Sequence, residues 1–344
     1  MHKNKTKIFL GAFLNVINAQ NINCLSLAKH LDQDRFSVYA LSLYSAPNVK
    51  TKARLFNCFY PFRLSSFFGF IWGILICDII YFPKHHSTPK WMLILSNILG
   101  RKLFTTIENN MCDIDKISMI NTFGGRKNLF NYFKHVPNIF GITKFIISNA
   151  KCGVKLEDQV LYLGVELDLF KYINRHNLIN VVFVGSLKER KRVREFLKLA
   201  NEFPKIKFNV IGDGIDSELL KFNASSNVIF FDHLEQDELS FKFSKMDLLF
   251  LPSKSEGFPK VILEAAASGI PSIVYNDYGA QEWLCDNKNG FIVDNFVDVV
   301  DVINRLLNED KLLSLVSNGA YNMSLDFDWK KQIKIWEKVI ENLK

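Results

Sequence analysis

The stretch Leu248-Leu249-Phe250-Leu251-Pro252-Ser253-Lys254-Ser255-Glu256-Gly257-Phe258-Pro259-Lys260-Val261-Ile262-Leu263-Glu264-Ala265-Ala266-Ala267-Ser268-Gly269 decides the fold. Four consecutive apolar residues, Leu248–Leu251, suit a strand buried on both faces. Pro259 suits the first position of a helix that Gly269 closes just past its end. The segment therefore reads as a strand-to-helix turn at the carboxyl edge of a parallel sheet, where such sheets bind ligands. Backbone N–H groups and the positive dipole end at that helix start favour an anion such as phosphate. Gly257 permits a sharp turn and close backbone approach. Glu264 lies five residues inside the start, about 7–8 Å along the axis at 1.5 Å per residue. That is the reach from a nucleotide's phosphates to its ribose, whose two hydroxyls a carboxylate accepts together. Glu256 stands just outside the helix, beside whatever hangs from the phosphate. A plainer alternative pairs Glu264 with Lys260, four residues earlier, and leaves Glu256 on a solvated loop. The turn glycine, the proline and the preceding strand favour the functional reading.

Outward from this turn the strand–helix unit repeats. Strands are predicted at Asn180–Val184, Lys207–Ile211, Val228–Phe231, Leu248–Leu251 and Ser272–Tyr275, with a helix over Val193–Glu202. In the first half, Lys7–Leu10, Ser37–Leu43, Ile79–Phe82, Leu103–Thr106, Phe145–Ser148 and Val160–Tyr162 read as strands. Ile22–Leu31 and Trp91–Leu99 read as helices, the second closed by Gly100. Such a series implies an α/β fold of two doubly wound Rossmann-like domains facing a cleft. The expected boundaries are 1–172 for the first domain, 173–326 for the second and 327–344 for a C-terminal helix.

Composition narrows the function. At 344 residues the chain suffices for two cores, and 48% apolar with 23% charged residues excludes a disordered tail or a coiled coil. Six cysteines (Cys24, Cys58, Cys77, Cys112, Cys152, Cys285) form no CxxC pair. That argues against a zinc ribbon or disulfide framework and for a reducing compartment. The basic start, Met1–Lys7, lacks the apolar run of a signal peptide. The longest apolar stretch, Phe67–Cys77, falls short of the roughly 20 residues of a membrane span. A cytoplasmic chain, peripheral at the membrane, is expected. The net charge of +8 is uneven: residues 1–170 hold 20 Lys/Arg against 10 Asp/Glu, and residues 171–344 hold 23 against 25. Near Lys50–Phe70 the cations alternate with Phe56, Phe59, Phe62, Phe67 and Phe68, a pattern suited to an anionic membrane surface and not to nucleic acid. A Phe-rich core beside a solvated loop is the plainer alternative.

Glu256-x7-Glu264, set in Glu256-Gly257-Phe258-Pro259, Leu263-Glu264-Ala265 and Gly269-Ile270-Pro271, resembles the paired glutamates of the retaining glycosyltransferases of family 4. These are glycosyl transferases group 1, with the glycosyltransferase-B fold. Val184-Gly185-Ser186-Leu187 followed by Lys191 resembles the family's phosphate loop, with Ser186 where the family carries Arg. Arg190 and Arg192 flank Lys191 and either supply that charge or stand solvated. Ile211-Gly212-Asp213-Gly214, Gly279-Ala280-Gln281-Glu282, Asn289-Gly290-Phe291 and the linker Gly164–Phe170 also resemble family segments. The likeness covers about Val160 to Leu307. It implies that Glu264 holds the donor ribose, Glu256 contacts hydroxyls of the transferred sugar and Lys191 neutralises the departing pyrophosphate. Gly185, Ser186, Arg190, Gly212, Gly257, Phe258, Pro259, Lys260 and Val261 would line the donor.

The first half offers weaker candidates for the acceptor side. Gly11 follows the first predicted strand. His85 and His86 follow Ile79–Phe82, and Glu108 follows Leu103–Thr106; adjacent loop histidines are as readily solvated. Asp113-x-Asp115 and Asp326-x-Asp328 match an Asp-x-Asp metal signature that chance also supplies, and no metal or other cofactor is expected. The implied activity is transfer from a nucleoside-diphosphate sugar, as co-substrate, to a glycolipid or oligosaccharide acceptor with retention. Such transfer fits bacterial surface polysaccharide or lipopolysaccharide assembly. The rivals are a nucleotide-sugar epimerase or hydrolase, a non-catalytic lipid-binding protein, and a nicotinamide-dependent oxidoreductase. The last needs a Gly-x-Gly-x-x-Gly after the first strand, which is absent.

Overall fold

A near-continuous apolar run makes β1 (Thr6–Phe13) the centre of the first sheet, with Ile8, Phe9 and Leu10 wholly buried. The computed structural model describes residues 5–16, 18–112, 118–214 and 217–343. It divides into one unit of Met1–Leu163 with Trp329–Lys344 and a second of Gly164–Asp328. In the first unit, α1 (Ala19–His30), β2 (Phe36–Leu43), β3 (Arg54–Cys58), α2 (Phe62–Ile76), β4 (Ile79–Tyr81) and α3 (Lys90–Ile98) follow β1. Then come β5 (Lys102–Ile107), α4 (Met119–Thr122), α5 (Arg126–Phe133), β6 (Asn138–Gly141) and α6 (Lys144–Ser148). The six strands lie in the order β3-β2-β1-β4-β5-β6, all pairs parallel.

The second unit comprises β7 (Asn180–Val184), α7 (Val193–Glu202), β8 (Lys207–Ile211), α8 (Ser217–Phe222), β9 (Val228–Phe231) and α9 (Gln236–Phe243). It continues through β10 (Leu248–Leu251), α10 (Lys260–Ala267), β11 (Ser272–Tyr275), β12 (Phe291–Val293), α11 (Phe296–Asn308) and α12 (Leu312–Asp326). Its order, β12-β11-β10-β7-β8-β9, is also all parallel. Contiguous apolar strands require cover on both faces, which the helices between them supply. Both sheets have the doubly wound order of a Rossmann-like domain. The helix α13 (Trp329–Glu341) belongs to the first unit. Its buried stripe of Trp329, Ile333, Trp336 and Ile340 repeats at helical spacing, and Trp336 donates its indole N–H to the Tyr162 carbonyl at 2.9 Å.

Four expectations are corrected. Phe145–Ser148 lies in α6, because the Thr143 hydroxyl caps it by accepting the Ile146 N–H at 3.1 Å. The sixth strand is Asn138–Gly141, and Val160–Tyr162 joins no ladder. The units divide after Leu163 and after Asp328, not at 172 and 326. Gly164–Phe170 is fastened to the second unit: the Val165 N–H donates to the Phe327 carbonyl at 2.8 Å, and Phe170 packs 6.2 Å from Phe243. Finally, Cys112 and Cys152, 40 residues apart, are paired in a disulfide, whereas Cys24, Cys58 and Cys77 are buried and not disulfide-bonded. No spacing rule reveals a bridge closed by tertiary structure.

Candidate functional site

The strand order of the second unit fixes where a site forms. From β7 the chain leads to β8 on one side, and from β10 to β11 on the other. The loops after β7 and β10 therefore diverge at adjacent carboxyl ends, the switch point where doubly wound sheets hold ligands. Those loops carry Lys191 and Glu256.

The loop after β7 is held by the turn after β8. The Gly185 N–H donates to the Ile211 carbonyl at 3.0 Å and the Leu187 N–H to the Asp213 carbonyl at 2.9 Å. Gly212, at φ 135°, makes this approach possible; a Cβ there would lie 2.1 Å from the Gly185 carbonyl oxygen. Ser186 is half-buried in this loop. A single 3-10 turn, Glu189–Lys191, then places Lys191 in a buried position. Arg192 turns away from it. Its guanidinium pairs with Asp277 at 2.8 Å and lies over the Tyr275 ring at 5.0 Å. That resolves the flanking arginines: Arg192 ties α7 to the segment after β11, and Arg190 turns to the glutamate loop.

The two loops are stitched together. The Lys254 N–H donates to the Arg190 carbonyl at 2.9 Å, and the Arg190 guanidinium donates to the Ser255 carbonyl at 3.1 Å. Lys191 Nζ pairs with Glu256 Oε1, and Arg190 approaches the same oxygen at 3.6 Å. Both partners of the Lys191–Glu256 pair are mostly removed from water. Burial pulls the Lys191 ammonium below its ordinary range, and the Glu256 charge works against that shift. Gly257, Phe258 and Pro259 are buried behind the pair. The Phe258 ring is a wedge in the unit's core, edge-on to Trp283 at 4.8 Å and 5.2 Å from Phe327. Three buried polar atoms near this turn in sequence or packing have no hydrogen-bond partner: Ser253 Oγ, the Tyr278 hydroxyl and Trp283 Nε1.

The helix α10 starts at Lys260, one residue later than predicted, with Pro259 as its cap, and Gly269 at φ 75° follows its end. No side chain caps its amino end, and its first turn carries no acid. Such an end presents N–H donors and a positive dipole. Val261 is half-buried there. Further along, the half-buried Glu264 accepts a hydrogen bond from the Gln236 amide at 3.4 Å. Burial raises the Glu264 carboxyl above its ordinary range, opposed first by Lys260 and then by Gln236. The i,i+4 alternative is thus partly real: Lys260 does act on Glu264. Sequence reasoning missed Gln236, at the start of α9, and Tyr278 and Trp283, between β11 and β12, because none of the three belongs to a motif of its own.

The first-unit candidates separate. Gly11 lies inside β1, which runs on to Phe13, and its missing Cβ would strike the Phe82 ring at 2.4 Å. It is a packing glycine, not part of a ligand loop. His85 is a satisfied core histidine. Its Nε2 lies 2.6 Å from Thr105 Oγ1, while that hydroxyl donates to the Phe82 carbonyl at 2.6 Å. Burial lowers His85 to about 3, so the ring is neutral. His86 is exposed beside Phe123. Glu108 is half-buried and accepts from the wholly buried Asn23 amide at 3.4 Å. Asp113 and Asp115 lie outside the described residues. Among the described residues no three His, Cys, Asp or Glu side chains gather to hold a metal ion. A cavity of about 460 Å³, lined by Leu187, Lys188, Arg192, Val193, Leu220 and Lys254 among others, flanks the loop after β7 without reaching Glu256 or Glu264.

Two parallel six-stranded sheets in doubly wound order define a glycosyltransferase-B fold. Residues 166–323, nearly the whole of the second unit, match the glycosyl transferases group 1 family. An uncharacterized glycosyltransferase of Methanocaldococcus jannaschii is 25% identical over 279 residues, covering 77% of this chain and 76% of the relative. The capsular polysaccharide biosynthesis glycosyltransferase CapM of Staphylococcus aureus is 28% identical over 199 residues, about half (51%) of each chain. Among solved structures, Anabaena HepE in complex with UDP and glucose superposes with a TM-score of 0.75 at 16% identity, covering 98% of this chain and 100% of that one. The lipopolysaccharide outer core galactosyltransferase WaaB gives 0.69 at 16% identity, covering 98% and 99%. At these identities the likeness establishes the fold.

Proposed function

We propose that this chain transfers a glycosyl group, with retention, from a nucleoside-diphosphate sugar to a lipid-linked saccharide, working at the cytoplasmic face of a membrane. The observation that carries the reading is the Lys191–Glu256 pair at the switch point, next to an uncapped α10 that bears Glu264. The family of residues 166–323, the UDP-bound relative of the same fold and the polysaccharide-building CapM support it. In this reading the α10 amide groups and Lys191, with Arg190 beside it, stabilise the diphosphate as the bond from the anomeric carbon to its oxygen breaks. Glu264 accepts the ribose hydroxyls. Both cations engage Oε1 of Glu256, and Oε2 is assigned to a hydroxyl of the sugar. The acceptor hydroxyl attacks from the leaving-group side, its proton passing to the departing phosphate, so the configuration is kept. Protein cations, not a divalent metal, carry the leaving-group charge.

The test is a thermal-shift screen with UDP, GDP and ADP, followed by their sugars with and without an acceptor. A diphosphate at 100 times its Kd adds about 2.7 kcal/mol of stability. If none of the three raises the Tm, the donor assignment is wrong. Free sugar released at full rate without acceptor makes the enzyme a hydrolase.

A further inference from the structure

Half of the exposed large apolar residues among those described, eleven of twenty-two, lie between Phe59 and Leu99. They are gathered on two neighbouring helices. The buried residues of α2 are Ser65, Gly69, Gly73 and Ile74, and a Cβ on Gly69 or Gly73 would strike Phe56 or Phe9 at 2.8 or 2.4 Å. Phe70 and Trp72 also pack inward, 6.0 Å from Phe9 and 5.5 Å from Tyr39, but other large side chains of the helix face outward. Leu64, Phe67, Phe68 and Leu75 are 41–56% exposed, and Tyr60 just before the helix is 83% exposed. The helix α3 continues the surface through Trp91, Ile94 and Ile98, the last 75% exposed. Phe67 and Trp91 join the two helices at 5.1 Å, and Arg101 donates to the Leu75 carbonyl at 2.6 Å.

The charge around this surface has one sign. Residues 50–102 contain eight Lys or Arg and a single acid, Asp78. The Asp78 carboxylate already accepts the Lys7 N–H at 3.0 Å. Arg63, Lys90 and Arg101 sit in or beside the two helices. A second copy would bring this patch against itself across a two-fold axis, cation to cation. An anionic lipid surface satisfies both components, taking the apolar side chains into the acyl boundary and the cations at the headgroups. At 15 residues α2 is about 22 Å long, too short to cross a bilayer.

We infer that the exposed face of α2 and α3 is an anionic-bilayer docking surface of the first unit. It deepens the reading above, which gives the acceptor a lipid carrier, and its test needs no turnover. Full-length protein is floated with phosphatidylcholine vesicles and with vesicles that also hold phosphatidylglycerol. Binding is expected to the anionic vesicles only and to weaken as salt rises. The double variant Phe68→Gln, Ile98→Gln should lose at least ten-fold in binding, and Arg63→Gln about five-fold, near the worth of one cation at such a surface. Phe222→Gln, which removes an 87% exposed phenylalanine of the second unit, should change nothing. Unchanged melting and an unchanged response to UDP show that the variants keep their fold and donor site. The inference is overturned if the wild type stays unbound at low salt, or if Phe222→Gln weakens binding as much as the double variant. It is equally overturned if the double variant instead breaks up a dimer or releases an acidic protein partner.

Discussion

Replacing Glu256 with Gln keeps the shape of the glutamate turn and removes its charge. The structure sets the cost. Lys191 is left mostly buried with an uncompensated ammonium, and Arg190 loses its 3.6 Å contact as well. Breaking a buried pair from one side typically costs about 3–5 kcal/mol, a large share of a domain's stability. Lys191→Met strands the carboxylate by the same argument and should cost a similar amount. The double variant removes both charges and should be destabilised by about 2 kcal/mol or more less than the sum of the singles. The assay must isolate the second unit, since a two-unit chain need not unfold in one step. Trp283 supplies the probe: it is the one tryptophan of the five that falls within 164–328, and it packs on Phe258 behind the pair. Urea unfolding of fluorotryptophan-labelled protein, followed by the Trp283 fluorine resonance, reads that unit alone. Additive single-variant effects would refute the pairing. Loss of transfer by Glu256→Gln then has two components, and nucleotide binding measured below the melting range separates them.

Three further outcomes follow from the geometry. Glu264→Gln should weaken UDP binding about ten- to hundred-fold, the worth of hydrogen bonds to a charged group. Titration calorimetry checks it, and equal affinity removes Glu264 from the ribose. His85 is held near 3 when folded, against 6.5 unfolded, so the unfolded chain binds more protons between those values and stability rises with pH across the window. Acidification from 6.5 to 3 should therefore cost the first unit up to about 5 kcal/mol at 1.36 kcal/mol per unit, and His85→Gln should flatten that segment of the pH–stability curve. Gly212→Ala places a Cβ 2.1 Å from the Gly185 carbonyl. It should lower stability by about 1–3 kcal/mol from backbone conformation alone, and should weaken UDP binding by displacing the Lys191 loop.

The second sheet was legible almost to the residue. Asn180–Val184, Lys207–Ile211, Leu248–Leu251 and Ser272–Tyr275 stand as the sequence predicts, because a strand buried on both faces is a short apolar block, and the half-exposed edge strand Val228–Phe231 shares that composition. The edge strand β3 was not legible: Arg54 and Asn57 face solvent and break the block. Phe145-Ile146-Ile147 has strand composition, yet one hydroxyl from Thr143 suffices to start a helix there. At the site, the glutamate spacing and the glycine turns could be read locally. The Lys191–Glu256 pair spans 65 residues and arises only once β7 and β10 lie side by side. His85 shows the converse, a residue type suggestive of chemistry whose surroundings leave it a neutral packing group.

The first unit is discontinuous in the chain, and that sets an order of assembly. Residues 164–328 form a continuous segment, so the second unit has all its strands before α13 is synthesised. The first unit has its whole sheet earlier still, yet Trp329 and Trp336, each at most 1% exposed in the finished molecule, arrive last. Until they dock, Tyr81 lacks its 5.9 Å indole neighbour and the Tyr162 carbonyl lacks the Trp336 donor. A released chain truncated before residue 329 therefore holds every element of the second unit but leaves the first one unsealed, the form in which quality-control factors that bind bare apolar surface would meet it.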